Sequence, residues 1–229
     1  MKVLLFGATG MIGQGVLREC LRDPQVSEVV ALVRRPSGQT HPKLRELCHE
    51  NFFDYAALEG DLSGLDACFF CLGVSSAGMA EDAYHRVTHD LTLAAAEALV
   101  RLNPAMTFIY VSGAGTDGTG QGKVMWARVK GRTENALARL PFKAVHLFRP
   151  GLIQPLHGIQ SSTRLYRVLY RLMAPLFPVL RAFAPDSFTT TERLGRAMIQ
   201  AALAGAPKAV LETRDINRLA SLPAPATGP

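Results

Sequence analysis

The chain has 229 residues and 24.8 kDa, 48% hydrophobic and 19% charged, which excludes a disordered, collagen-like or solvating sequence. The net charge of +6 is regional: no acidic residue falls between Glu134 and Asp186, where seven basic ones do, leaving the remainder at −1. That segment points to an anionic ligand, a membrane surface or a partner, and without aromatic-basic interleaving it does not point to nucleic acid.

In chain order, Lys2–Phe6 reads as a buried strand and Met11–Arg22 as a helix stopped by Asp23-Pro24. Val29–Val33 is a second strand, and Leu44–Phe53 holds a short third. Asp66–Leu72 is a fourth strand, followed by a helix through Ala83–Leu102. Thr107–Val111 is a fifth, a helix runs through Trp126–Leu140, and Ala144–Phe148 is a sixth. The strands are continuously apolar, as expected when helices cover both faces of a parallel sheet. Strands alternating with helices imply right-handed βαβ crossovers, and hence an α/β, doubly wound Rossmann-type sheet. Beyond Gly151 the pattern becomes helix-rich with one late strand, Ala209–Glu212. This gives a single domain over residues 1–222, with a dinucleotide-binding core to about 150, a lid or substrate lobe over 151–222 and a flexible tail at 223–229.

The first strand ends in Gly7-Ala-Thr9-Gly10-Met11-Ile12-Gly13 and opens directly into a helix. Glycines allow a tight turn and close backbone approach to a pyrophosphate, and the helix N-terminus supplies amides and a positive dipole end. After the second strand comes Arg34-Arg35-Pro36 where an NAD site would carry Asp or Glu. Two guanidinium groups suit a ribose 2′-phosphate, so the cofactor expected is NADP(H) over NAD(H).

The Gly-x-x-Gly-x-x-Gly spacing resembles the extended and atypical short-chain dehydrogenase/reductase superfamily, which includes epimerase/dehydratase-like proteins. Further resemblances are Cys71-Leu72-Gly73 after the fourth strand, Val111–Ala114 at the active-site end of the fifth, Val129-Lys130-Gly131 in the lysine helix, and Arg149-Pro150-Gly151 in the loop that contacts the nicotinamide. Within that superfamily the chain resembles the atypical, Tat-interacting protein 30-like oxidoreductases. The resemblance is strong to about residue 155 and looser beyond. It implies that Asn51 and Phe52 lie near the adenine, that Cys71, Leu72 and Gly73 pass the cofactor ribose, and that Lys130 holds the nicotinamide ribose hydroxyls. It makes Ser112 and Lys130 the catalytic candidates. Ser112 could polarise a carbonyl or merely satisfy its turn, and Ala114 faces the same side.

In the family a Tyr-x-x-x-Lys pair transfers the proton, because residues i and i+4 share a helix face. Here the frame reads Trp126-Ala-Arg-Val-Lys130. An indole N–H donates a hydrogen bond but cannot cycle a proton near neutral pH. Two functions follow: an NADP(H)-dependent oxidoreductase acting on a small carbonyl or hydroxyl substrate, with the proton relayed by water through Lys130, or a non-catalytic NADP(H)-sensing regulator or scaffold.

Other constellations read as background. His85 and His89 stand i, i+4, but the sequence places no third ligand, so they are taken as surface histidines and no metal is expected. Cys68 and Cys71 are three apart on one strand and face opposite sides. Arg164, Arg167 and Arg171 with Leu165, Val168, Leu169 and Leu172 form an amphipathic helix. It is expected as a lid packed on the core, with peripheral membrane contact through 164–181 as the alternative. Leu172–Leu180 is too short to span a bilayer. Thr189-x-x-Glu192 reads as a capping box for a helix ending at Gly205. Four cysteines and the lack of a visible signal peptide lead to the expectation of a cytoplasmic protein with a small-molecule substrate.

Overall fold

In the computed structural model, residues 1–159 and 185–223 are described. The amphipathic helix expected around Arg164–Leu172 and most of the tail lie outside them. The elements are β1 (Lys2–Phe6), α1 (Met11–Arg22), β2 (Glu28–Val33), β3 (Leu44–Cys48), β4 (Ala67–Phe70), α2 (Glu81–His85), a π turn (Arg86–Asp90), α3 (Leu91–Leu102), β5 (Thr107–Val111), α4 (Met125–Leu137), β6 (Ala144–Arg149), β7 (Leu152–Gln154), β8 (Phe188–Thr190), α5 (Thr191–Ala204), β9 (Val210–Glu212) and α6 (Thr213–Ala220).

Seven strands form one parallel sheet in the order β3-β2-β1-β4-β5-β6-β9. Alternate residues of each strand point to opposite faces, and both faces are apolar. Val3, Leu5, Val29, Ala31, Phe69, Ile109 and Phe148 meet Val16 and Leu17 of α1 and Leu194, Ala197 and Met198 of α5. Leu4, Phe6, Val30, Leu32, Cys68, Phe70, Phe108 and Tyr110 meet Ala95, Ala96 and Leu99 of α3 and Leu137 of α4. The result is a three-layer Rossmann-type architecture. Cys68 belongs to the second face and Cys71 packs on the first, so the pair does not converge.

The strand order reverses between β1 and β4, which opens a crevice at their carboxyl ends where such sheets bind ligands. Every site position expected from sequence lies on this edge or on α4.

The helix-rich C-terminal region is present. α5 packs across α1 at glycines: a β-carbon at Gly15 would sit 2.5 Å from Thr191 Cβ, and one at Gly195 would sit 2.9 Å from Glu19 Cγ. The N-cap of α5 is Thr190, whose Oγ1 accepts from the Arg193 amide at 3.0 Å. The expected cap at Thr189 is therefore one residue early: Thr190, the last residue of β8, makes the cap, while Thr189 lies mid-strand with its buried hydroxyl unbonded among the described residues. Gly205, at φ 80°, ends α5 as expected. β7 and β8 pair parallel in a separate two-stranded sheet. Among the described residues no helix is long and apolar enough to cross a membrane.

Candidate active site

β1 delivers the chain into the glycine turn, and two of its glycines are sterically obligatory. Gly7 has φ 79°, and a β-carbon there would lie 2.8 Å from the backbone of Cys71 and Leu72 at the end of β4. A β-carbon on Gly13 would lie 1.9 Å from the Gly7 carbonyl oxygen. Gly10 donates its amide to that same oxygen at 2.9 Å and caps α1 with no side chain. The first-turn amides of Met11, Ile12 and Gly13 thus form a helix N-terminus of the kind that takes a phosphate. Thr9 is exposed on the rim, its carbonyl accepting from the Gln14 amide side chain at 2.8 Å.

Beside this turn is a cavity of about 650 Å³ lined by Thr9, Val33, Arg34, Arg35, Pro36 and Glu50. Both arginines are exposed, and among the described residues neither has an ion pair within 4.0 Å. Their turn is anchored by Ser37, whose amide donates to Glu46 Oε2 at 3.0 Å and whose hydroxyl donates to Oε1. Glu50 was not singled out in the sequence, because its approach to the arginines depends on how the chain leaves β3. Its neighbour Asn51 is exposed, with Oδ1 accepting from the Phe53 amide at 3.1 Å. The Phe52 ring is 8% exposed and packs edge-on to Phe6 at 6.1 Å, so it is a core side chain beneath this end of the sheet.

At the end of β4, Cys71 donates its amide to Phe6 O at 3.0 Å. Burial pushes its thiol well above the usual range. Leu72 is half-buried and Gly73 exposed, which places this backbone alongside Gly7 at the crevice.

The ends of β5 and β6 carry the polar centre. Lys130 Nζ donates to the Ser112 carbonyl at 2.5 Å. Burial lowers the Lys130 pKa to about 8, against the opposing pull of Glu134. Ser112 is 6% exposed. Its Oγ lies 2.5 Å from Glu134 Oε1 and 3.2 Å from the Phe148 carbonyl. The hydroxyl is committed to that buried carboxylate, which corrects the expectation that it polarises a substrate carbonyl. Glu134 also receives Arg149 through Nε at 3.0 Å and Nη2 at 2.5 Å. This Ser112–Glu134–Arg149 group went unrecognised in the sequence; its one local trace is that Glu134 lies four residues after Lys130 on α4.

Trp126 stands one turn before Lys130, and its ring lies 4.0 and 3.8 Å from where β-carbons would be at Gly113 and Gly115. It covers the β5–α4 loop. Pro150 accepts the Ala114 amide at 2.9 Å. Gly151 donates its amide to Thr213 Oγ1 at 2.7 Å, and a β-carbon there would lie 2.6 Å from Ser187 O. This pair closes the loop junction beside β5. Tyr84 and Tyr110 are buried phenols with pKa values raised by burial, so neither is poised to exchange a proton near neutrality.

The site therefore joins an anion-binding helix terminus, a cationic rim and a half-buried lysine along one sheet edge, as a dinucleotide site requires. A family described as NAD(P)H-binding matches residues 7–139, and the chain belongs to it. Among curated relatives, the mitochondrial protein fmp52 of Emericella nidulans is 26% identical over 209 residues, covering 88% of this chain and 87% of that protein. The mitochondrial FMP52 of Saccharomyces cerevisiae is 29% identical over 167 residues, covering 72% and 69%. Among solved structures, MoeE5 in complex with UDP-glucose and NAD superposes with a TM-score of 0.65 at 21% identity, covering 92% of this chain and 75% of that one. A short-chain dehydrogenase/reductase family oxidoreductase from Burkholderia thailandensis gives 0.62 at 17%, covering 89% and 85%. These likenesses bear out the NAD(P)-binding Rossmann fold and its short-chain dehydrogenase/reductase and epimerase neighbours. The cytoplasmic expectation is overturned: the curated relatives are named mitochondrial.

Proposed function

We propose that this chain is an NADP(H)-dependent oxidoreductase acting on a small carbonyl or hydroxyl compound, with Lys130 as the proton-handling group in place of the family's tyrosine. The observation that carries the reading is the pairing of two sites on one edge. The cationic pair Arg34 and Arg35 flanks the end of α1 that carries no side-chain cap, and Lys130, with its pKa lowered to about 8, reaches from the middle of α4 to the Ser112 carbonyl at the end of β5.

The residues fit the nucleotide. The α1 amides suit its diphosphate, and Arg34 and Arg35 suit a 2′-phosphate through charge-assisted hydrogen bonds. Bound there, the nicotinamide supplies hydride transfer. The protein's own part is positional and protonic. Lys130 holds its ammonium against the Ser112 carbonyl, and burial makes that ammonium acidic enough to give up a proton near pH 8. The buried pair of Glu134 and Arg149 fixes the strand end that carries Ser112.

A second reading, an NADP(H)-sensing protein without turnover, is favoured by Trp126, which sits on the β5–α4 loop where the family's phenol would stand. Purified protein titrated with NADPH and NADH should bind NADPH more tightly; no binding of either at millimolar concentration overturns both readings. A panel of aldehydes, ketones and their alcohols with optical detection of NADPH separates the two. Turnover above background supports the oxidoreductase, and its absence across every carbonyl class supports the sensor.

A further inference from the structure

We propose that His85, His89 and Asp90 form a binding site for a borderline divalent cation such as Zn²⁺, on the outer face of the segment joining α2 to α3. None of the three lines the cavity beside Arg34 and Arg35.

The backbone makes the juxtaposition. In an ordinary α-helix, residues i and i+4 share a face while i+5 turns away. Here the chain opens into a π turn over Arg86–Asp90, with the Leu91 amide donating to the Arg86 carbonyl five residues back. That wider turn brings residues four and five apart over the same starting residue. Single π turns inside helices concentrate at functional sites.

The donor atoms then converge. His85 Nδ1 lies 3.2 Å and His89 Nδ1 lies 2.9 Å from the same oxygen, Asp90 Oδ1. The two imidazoles stack at 4.4 Å between centroids, and all three ligand atoms fall within 4.8 Å of one another. Tetrahedral zinc–nitrogen and zinc–oxygen bonds of about 2.0–2.2 Å put adjacent ligands roughly 3.3–3.6 Å apart, so each imidazole nitrogen stands within a few tenths of an ångström of that spacing from Asp90 Oδ1. Two imidazoles and one carboxylate are a donor set suited to zinc or nickel rather than to magnesium or calcium, with water completing the shell.

The scaffold is fixed at its start. Glu81, the first residue of α2, takes Arg128 Nη2 at 2.5 Å and Arg132 Nη1 at 3.4 Å, tying α2 to α4. On the inner side, Thr88 is buried. The three ligands themselves remain partly exposed, so a cation has access from solvent.

The test uses the full chain without an affinity tag, stripped with chelator and titrated with Zn²⁺ by calorimetry and with Co²⁺ by visible absorption. One equivalent should bind in the micromolar range and raise the melting temperature. His85→Gln with His89→Gln should remove that equivalent, and Asp90→Asn should weaken it about tenfold or more. The four remaining histidines are common to both proteins and serve as the internal control. NADPH binding should be unchanged in these variants, so failure here is separable from failure of the nucleotide reading. Equal Zn²⁺ titration of the native and double-variant proteins, or no equivalent bound by the native protein, overturns the proposal.

Discussion

Arg149 closes a two-pronged ion pair on Glu134, with the Glu134 side chain only 2% exposed and the Arg149 side chain 17% exposed. The pair links α4 to the end of β6, and Ser112 at the end of β5 completes it. A carboxylate this deep is tolerable only while its partners neutralise it and satisfy its oxygens. Glu134→Gln should leave the half-buried guanidinium with only the more exposed Glu212 carboxylate, 3.5 Å from Nη1, costing about 3 kcal/mol in urea unfolding, the low end for a broken buried pair. Glu134→Leu combined with Arg149→Met should recover much of that loss, since removing both charges avoids the orphaned one. Equal destabilisation by the single and double replacements would contradict the ion-pair account.

The glycine turn gives a graded series. Gly13→Ala places a β-carbon where the Gly7 carbonyl already is, at 1.9 Å, whereas Gly10→Ala meets the same oxygen at 3.3 Å. Gly13→Ala should lose NADPH binding and several degrees of melting temperature, while Gly10→Ala should retain a measurable fraction of both. The order of the two losses, read by fluorescence titration and thermal unfolding, checks the geometry.

Arg34 and Arg35 carry no nucleotide affinity common to both cofactors if their role is the 2′-phosphate. Arg34→Asp should therefore weaken NADP(H) by about 10–100-fold, the worth of one charge-assisted hydrogen bond, and leave NAD(H) within a few-fold. Parallel calorimetric titrations with the two nucleotides measure the ratio. Because Ser37 and Glu46 anchor this turn, Ser37→Ala should produce a milder loss in the same direction.

The sheet was legible because its strands are uninterrupted apolar runs, and a parallel sheet buried on both faces demands them. The glycine turn was legible for a similar reason, since Gly7 and Gly13 sit where any side chain would collide. The polar centre was not. Strand parity fails at a strand end, so the sequence cannot show that Ser112 turns toward Glu134 rather than the crevice. Arg149 reaches Glu134 from 15 residues away and through a different strand. The three-residue strands β7 and β8 are too short to carry a periodicity and find each other across 35 intervening positions. The π turn leaves no composition signature either, and with it Asp90 went unnoticed beside His85.

Lys130 should set a pH dependence. Burial lowers its pKa to about 8, below the roughly 10.4 of an unfolded lysine. Between these values the unfolded chain binds the proton more tightly than the folded one, so stability rises as pH increases from about 8 toward 10.4 and the penalty is fully present below 8. In the carbonyl-reducing direction the protonated ammonium is the active form, so turnover should fall as pH rises through about 8. Lys130→Met should abolish both the turnover and the alkaline gain in stability, while a glutamine variant that kept the same pH profile would assign the titration elsewhere.

Trp126 occupies the helical position one turn before Lys130, and its ring rests on the Gly113–Gly115 loop. Replacing it with tyrosine keeps an aromatic face against those glycines and adds a hydroxyl that can exchange a proton, with the Lys130 ammonium four residues on to lower its pKa. Trp126→Tyr should raise carbonyl reduction with NADPH by about a hundredfold, the smaller end of what a positioned acid contributes. Trp126→Phe, which opens the same space without the hydroxyl, should not. If both variants gained equally, the effect would come from relieved crowding at the loop and the proton would still travel through Lys130; a gain confined to the tyrosine would show that the cleft retains a complete site for the family's acid.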